Sequence, residues 1–401
     1  LAGHLAFSLK IYHRQFRVRG FSYSEKNECA NFADENEAGG SGVGFRSETL
    51  PTSPPGPTLS IVVVNHNSWN DIARLVETLG SARQVLSGEC ELIVVDNAST
   101  EPMPSTLNSL PCGVRISLRE ENGGFAAGVN TGWRLAGGNW LLLLNPDVVA
   151  EPELIAHALA CVAQQKRSGE AGASIIGFGL RNADGSRQPS VGAEPTLARA
   201  LIEPLLPRSR RKYKAGWPRK PAAVPWVTGA CMLVETCLMA NLGGMDEDFF
   251  LYYEEVALCR SARRFGHVVR FDPSVEAVHL RPLQNRSMSP ALRVITRHSR
   301  LLYFKKHRPA WEFWAITQLG RIEARVRLLW ATLRKRRDEA QVWRLVDKVT
   351  ESAQRNHRLS ALEVRDMAAG ASAMFEPKPK FGVRPRSPRT RSERRAMIEK
   401  S

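Results

Sequence analysis

The chain has 401 residues, of which 43% are hydrophobic, which allows one large α/β domain with appendages or two ordinary domains and excludes a wholly disordered protein. Lys and Arg outnumber Asp and Glu 56 to 40, a formal charge of +16 that points to polyanionic partners: nucleic acid, an anionic membrane surface or phosphorylated small molecules. The 7 cysteines never form a CxxC pair, so neither a disulfide framework nor a zinc site is expected, and a reducing cytoplasm fits best.

The opening LAGHLAFSLKIYHRQFRVRG turns basic after a short apolar stretch and offers no cleavage site, and no apolar run approaches the roughly 20 residues of a membrane span, so neither secretion nor integral insertion is expected. A Gly- and Ser-rich passage follows, and residues 1–57 read as a disordered extension or linker. From Thr58 the texture changes. LSIVVVN, DIARLVETLGSARQVL and ELIVVDNAS succeed one another at βαβ spacing, followed by VRISLRE as a strand, FAAGVNTGWRLA as a helix and NWLLLLNPD as a buried strand. The expected fold is α/β and Rossmann-like, a mostly parallel sheet with helices on both faces and ligands at the C-terminal strand ends. Residues 204–225 are basic and Pro-rich and read as a mobile loop. Order is expected again from WVTGACMLVE through VVRFDPSVEAVHL, and the segment beyond His307 reads as helical throughout, up to a Pro- and Arg-rich tail.

Four groups of residues carry candidate chemistry. Asn145 and Asp147 in NPD put two oxygen-bearing side chains at a strand end, a pattern that suits a hard divalent cation and equally suits a strand-ending turn. Asp96 in VVDNAS stands where a base or ribose would be hydrogen-bonded, though it or Ser99 could instead cap a helix. In ENGGFAAGVN, Gly123 and Gly124 permit close backbone approach, but without the GxGxxG spacing that would indicate a nicotinamide dehydrogenase. Glu254 and Glu255 lie among aromatics, where a carboxylate could accept a proton, or could simply belong to a solvated helix face. His279 follows a strand and is either structural or a ligand.

In order, SIVVVNHNS, LIVVDNAST, ENGGFAAGVNTG, LLLLNPDVV, WVTGACMLV, GGMDEDFFLYYEEVALCRSARRFG and VVRFDPSVEAVHL resemble family 2 glycosyltransferases of the GT-A fold, in particular the bacterial rhamnosyltransferase-like branch. The resemblance runs from Leu59 to about Leu283. It implies that Val64 and Asn67 line the nucleotide pocket, that Asp96 contacts the base, and that Asn122, Gly124 and Asn130 lie near the ribose and sugar. NPD takes the place of the family's DxD motif, so Asp147, with Asn145 beside it and His279 completing the set, would hold Mg²⁺ or Mn²⁺. Glu255 falls where the family has the Asp of its Glu-Asp pair, the general base, with Glu254 as its neighbour. The branch usually reads EDVDL where this chain reads EEVAL, so the base is one methylene longer and Ala257 replaces an acid.

The implied function is inverting transfer of a sugar, dTDP-rhamnose being the favoured donor, to a hydroxyl of a glycan or lipid-linked acceptor in cell-surface polysaccharide synthesis. The alternatives are a nucleotide-binding homologue without activity, for which Ala257 speaks, and a basic nucleic-acid-binding protein; no nucleic-acid fold signature is present, so no nucleic acid is expected as a partner. The expected organisation is an extension at 1–57, a GT-A domain at 58–285, a helical, membrane-associating region at 286–370 and a disordered basic tail at 371–401. One face of the C-terminal helix carries Ala315, Leu319, Ile322, Val326, Leu329, Trp330 and Leu333, which suits either an interfacial membrane helix or packing on the catalytic domain. The charge favours the former, hence a cytoplasmic protein peripheral on the inner face of the membrane.

Overall fold

In the computed structural model, residues 56–168, 172–203, 218–282, 288–355 and 357–373 are described. Most of the expected N-terminal linker, most of the basic loop and nearly all of the C-terminal tail lie outside the described residues.

The first half alternates strands and helices as the spacing predicts. Strand β1 (Leu59–Asn65) is followed by α1 (Trp69–Gly80), α2 (Arg83–Leu86), β2 (Cys90–Asp96), β3 (Val114–Leu118), α3 (Phe125–Leu135) and β4 (Trp140–Leu144). These strands lie in the order β3-β2-β1-β4, all parallel, with Asn65 in register with Asp96. Every residue of β1 and β4 is buried, because both faces of the sheet are covered. Leu59, Ile61, Val63, Leu142 and Leu144 point into a core beneath α1, whose Trp69, Ile72, Leu75, Val76 and Leu79 repeat at helical spacing. Val62, Val64, Leu141 and Leu143 enter a second core on the opposite face. There α3 lies close against β1, because a Cβ at Gly128 or Gly132 would stand 2.5 Å from Val64 or 2.4 Å from Val62.

The second half comprises β5 (Val148–Val149), α4 (Pro152–Ser168), β6 (Ala173–Asn182), β7 (Arg187–Gln188), β8 (Val191–Gly192), α5 (Leu197–Ile202), β9 (Ala222–Ala223), β10 (Trp226–Val227), β11 (Cys231–Glu235), α6 (Thr236–Leu242), α7 (Glu254–Arg264) and β12 (Val268–His279). The main sheet continues β4-β11-β6-β12-β5, while β8 and β10 pair separately. The sheet stays mostly parallel, as expected: β6 and β12 run in the direction of β1 to β4, while β11 runs antiparallel to both β4 and β6, and the two-residue strands β5 and β9 run antiparallel to β12. The chain re-enters at the end where β4 finishes, with the Asn145 amide donating to the Ala230 carbonyl at 3.0 Å, so β11 has to run backwards.

Four helices follow: α8 (Pro290–His307), α9 (Ala310–Leu333), α10 (Arg337–Gln354) and α11 (Ala361–Ala373). The stretch expected to be helical throughout is broken at Arg334–Arg336. Lys335 takes the left-handed region at φ 56, and the amides of Lys335 and Arg336 return to Thr332 and Ala331. Positive charge at a helix C-terminus is favourable against the helix dipole; Arg334 lies over the Trp330 ring at 5.1 Å and Arg336 pairs with Glu339. Helices α9 and α10 therefore form an antiparallel hairpin. The α8 helix ties it to the sheet: Leu301, Leu302, Tyr303 and Phe304 enter the second core, while Val294 and Ile295 join Trp343, Val346 and Phe250 in a third. No helix among the described residues is long and apolar enough to cross a membrane.

Trp343 is 1% exposed and receives the guanidinium groups of Arg293, Arg297 and Arg327 at 5.5, 4.8 and 5.0 Å from its ring. Trp343→Ala is expected to cost about 3–5 kcal/mol in urea unfolding; a loss below about 1 kcal/mol would mean that the third core does not hold the helices to the domain.

Candidate active site

The polar residues that end β1 and β2 form one network. The Asn65 Nδ2 donates to Asp96 Oδ1 at 2.7 Å, and Asp96 also accepts from the Ser99 amide (3.0 Å) and hydroxyl (2.5 Å). No helix begins at Ser99, so these bonds shape a turn and not a helix cap. Asn67, exposed and at φ 53, donates its amide to Ser99 Oγ, and its Oδ1 accepts from the amides of Thr100 and Glu101. Val64 is otherwise placed: it is 8% exposed and its side chain packs beneath Gly128, in the second core.

A second link joins this network to the ENGG loop. Asn97, buried beside Asp96, donates through Nδ2 to Asn122 Oδ1 and to the Gly124 carbonyl, both at 2.9 Å. Gly124 has φ +90, and a Cβ there would stand 2.1 Å from the carbonyl oxygen of Phe250, to which the Phe125 amide donates at 3.0 Å. The close approach that this glycine permits is thus to the protein's own chain. Asn130 is likewise engaged internally: it is 1% exposed, its Nδ2 donates to the Met245 carbonyl (2.8 Å) and to Glu247 Oε1 (2.7 Å), and its Oδ1 accepts from the Met245 amide. It fastens the loop that leads to Phe250.

That loop delivers the glutamate pair. Tyr252 and Tyr253 both lie in the left-handed region, at φ 69 and 72, a conformation unfavourable for aromatic residues that persists where the surroundings enforce it. The Ser299 hydroxyl holds the Leu251 carbonyl at 2.8 Å, and Phe250 is packed in the third core. Glu254 and Glu255 then open α7, buried at 4% and 5% exposure, so they are not a solvated helix face. Amides at a helix N-terminus favour carboxylates there. Ala257, where the resembled branch has an acid, is 2% exposed in the second core, a place that would strongly disfavour a charge. Gly229 sits against Glu255, its Cβ position 3.6 Å from that of Glu255, and the next residue, Ala230, accepts the Asn145 amide.

NPD closes the circuit. The Asn145 carbonyl accepts from the Val148 amide at 3.1 Å, making the turn that the residue types allowed. The two residues of β5 then pair with the end of β12, Val148 opposite His279. Asp147 Oδ1 thereby stands 3.1 Å from His279 Nε2, both groups buried. His279 Nδ1 lies 3.1 Å from Gln188 Oε1, and Arg281 Nε is 3.9 Å from Asp147 Oδ2 while its Nη2 pairs with Asp71. Adjacent ligands on an octahedral cation stand about 3 Å apart at bonds of about 2.1 Å, so the Asp147–His279 separation fits a shared ion. A partner on the other ring nitrogen is what a ligating histidine ordinarily has. Gln188, Asp71 and Arg281 were missed by sequence reasoning; only Arg281, two residues beyond His279, was signalled by proximity.

A different group, His157, Cys161 and Asp272, brings three ligand-type atoms within 4.8 Å of one another. Burial, reinforced by the Asp272 charge, pushes the Cys161 thiol up to about 12. Burial alone would raise Asp272, but hydrogen bonds from Ser274 and His157 hold its carboxyl below the usual range. As placed, the Cys161 thiol and the His157–Asp272 hydrogen bond brace the irregular step in β12 between Asp272 and Glu276.

Gly124→Ala is expected to destabilise the fold by more than about 2 kcal/mol in urea unfolding, since it combines a left-handed backbone with overlap on Phe250. A change under about 0.5 kcal/mol would show that the two loops are not fastened there.

Residues 60–235 match the family described as glycosyl transferase family 2. The chain is 27% identical over 241 residues to N-acetylglucosaminyl-diphospho-decaprenol L-rhamnosyltransferase of Mycobacterium tuberculosis, covering 55% of this chain and 75% of that one. It is 23% identical over 233 residues to rhamnosyltransferase WbbL of Escherichia coli, covering 57% and 85%. Among solved structures it is similar to a mannosyltransferase from Pyrobaculum calidifontis in complex with GDP-Man and Mn²⁺, with 16% identity, a TM-score of 0.44 and coverage of 81% and 77%. The family 2 match spans residues 60–235, somewhat under half of the chain, and with the relatives above it makes the chain a rhamnosyltransferase-like glycosyltransferase by similarity.

Proposed function

We propose that this glycosyltransferase moves a sugar, with inversion, from a nucleoside diphosphate donor to a hydroxyl of a glycan or lipid-linked acceptor. The observation that carries the reading is the buried Asp147–His279 pair, presented at the end of β4 by the pairing of β5 with β12. A divalent cation, Mg²⁺ or Mn²⁺, held by Asp147 and His279 would offset the charge that develops on the departing diphosphate.

The protein's own groups account for the remaining steps. Asp96, fixed by Asn65 and Ser99, offers a carboxylate for the base or ribose, and Asn67 and Asn122 stand at the rim of the same crevice. Glu255 accepts the proton of the attacking hydroxyl as the new C–O bond forms at the anomeric carbon. The bond to the diphosphate breaks on the opposite side, and the nucleoside diphosphate leaves with the electron pair. Glu254 shares the helix N-terminus with Glu255. Val64 and Asn130 support the crevice from within the core. A rhamnosyl donor is favoured because the relatives in M. tuberculosis and E. coli are rhamnosyltransferases, and the decaprenol-linked name of the first favours a lipid-linked acceptor. The same reading expects a cytoplasmic enzyme, peripheral on the inner face of the membrane, with a catalytic domain at 58–285 and a helical region at 286–370.

A thermal-shift series with dTDP, UDP and GDP, each with and without Mn²⁺, is expected to show stabilisation by one nucleotide that depends on the metal. Asp147→Asn should abolish the metal-dependent part; an undiminished metal response would remove Asp147 from the site. Glu255→Gln should retain nucleotide binding while transfer falls about 10²–10⁴-fold. Unchanged turnover in that variant would overturn the base assignment.

A further inference from the structure

Helix α9 packs inward through a narrow strip of its surface, with Ile316, Thr317, Ala324 and Ala331 buried. Its outward face is apolar. Trp311, Trp314, Ile322, Leu329, Trp330 and Leu333 are between 55% and 69% exposed, and Val326 and Leu319 continue the same stripe. From Trp311 to Leu333 this stripe runs about 33 Å at 1.5 Å per residue. Large side chains scattered singly on a surface are ordinary, but a continuous row of this length is not. It is widened by Leu201 and Ile202, each 53% exposed on α5, whose first amide is held by Glu312 of α9.

The surroundings of the stripe identify its partner. Arg325 and Arg327 flank it at 60% and 56% side-chain exposure, and Arg334, Lys335, Arg336 and Arg337, all exposed, follow at its C-terminal end. A groove of about 400 Å³ opens beside Val326 and Trp330, and Arg327, Arg334 and Arg336 line it. Its two carboxylates are already engaged, Glu323 by Arg297 and Arg327, and Glu339 by Arg336. Tryptophan at both ends of the stripe combines an apolar body with a polar N–H, as the boundary between headgroups and acyl chains requires. A protein partner or a second copy would need a counter-surface both apolar and acidic, whereas an anionic bilayer offers both properties at once.

We propose that the outward face of α9 is a membrane-docking surface, laying its apolar stripe into the headgroup layer of an anionic bilayer while the arginines at its C-terminal end meet lipid phosphates. The proposal deepens the peripheral attachment expected above by naming the surface, and it does not depend on the transfer chemistry. Flotation of the full chain is the test, with vesicles of phosphatidylcholine alone and with vesicles in which phosphatidylglycerol replaces about a third of it. The chain is expected to float with the anionic vesicles, less as salt is raised, and the double variant Ile322→Asp/Leu329→Asp should lose about tenfold or more of that binding with its melting temperature unchanged. Arg334→Gln/Arg336→Gln should weaken binding to the anionic vesicles alone. The proposal fails if the full chain floats with neither vesicle, or if the aspartate variant floats as well as the unsubstituted chain. It also fails if sedimentation without lipid shows self-association that Ile322→Asp/Leu329→Asp abolishes while no vesicle is bound. Nucleotide- and metal-dependent stabilisation, measured on the same samples, reports separately on the transfer site.

Discussion

The constraint on which the rest of the molecule depends is that its sheet is covered on both faces. From Leu59 to Val64, and through β4, every side chain but that of Ser60 lies in one apolar core or the other, and Ser60 is hydrogen-bonded to Glu91 and to the Gly138 amide, as a buried polar group must be. Polar groups are thereby gathered at the strand ends, where buried Asn65 and Asp96 are hydrogen-bonded to each other and half-buried Asn145 closes β4. The same coverage requires small residues wherever a helix must come close, hence Gly128 and Gly132 on the face of α3 that meets β1. The location of these polar groups follows from burial before any ligand is considered.

The ends of separate strands still have to be fixed relative to one another, and here backbone contacts matter more than side chains. Gly124 leaves room for the Phe250 carbonyl, which accepts from the Phe125 amide, and that single approach joins the loop after β3 to the loop before α7. Asn130 repeats the connection through Met245, and Gly229 and Ala230 carry it from Glu255 to Asn145. Each candidate group is consequently two or three contacts from the next. The left-handed tyrosines at 252 and 253 are the local expense of turning Glu254 and Glu255 inward, and the helices behind Phe250 and Leu251 keep that turn in place.

Much of this was legible in the sequence, for reasons that also explain what was not. Buried parallel strands leave long apolar runs, and turns at their ends leave Asn, Asp and Pro, so the first four strands and the residues closing them could be read in order. The direction of β11 could not, because WVTGACMLV is apolar whichever way it runs; the reversal depends on a hydrogen bond between Asn145 and a residue far along the chain. The resemblance implies that Val64 and Asn130 lie near the donor; in the fold their positions within β1 and α3 turn them to the core and to Met245. Gln188 gave no signal at all: it reaches His279 only through the sheet, from the two-residue strand β7. The break between α9 and α10 was hidden because helical periodicity continues on both sides of it, and only the local run of cations marks the stop.

The helical region makes a further step of reasoning possible. A helix that merely covered a core would turn its apolar side inward, and α10 does so with Val342, Trp343, Val346 and Val349 buried. Its neighbour α9 fully buries mainly small or polar side chains and keeps its tryptophans and all its leucines but Leu328 outside. Within one hairpin, under the same solvent, the two helices thus obey opposite rules. Folding alone selects the arrangement of α10; the outward leucines and tryptophans of α9 add nothing to that core and carry a cost in solubility. Meanwhile α11, from the same bundle, reaches the ENGG loop, where Arg365 donates to the Asn122 carbonyl at 3.1 Å. The bundle therefore presents two distinct surfaces within one packed unit: its inner surface holds the ENGG and Phe250 loops in register, and its outer surface carries the exposed apolar stripe with arginines beside it.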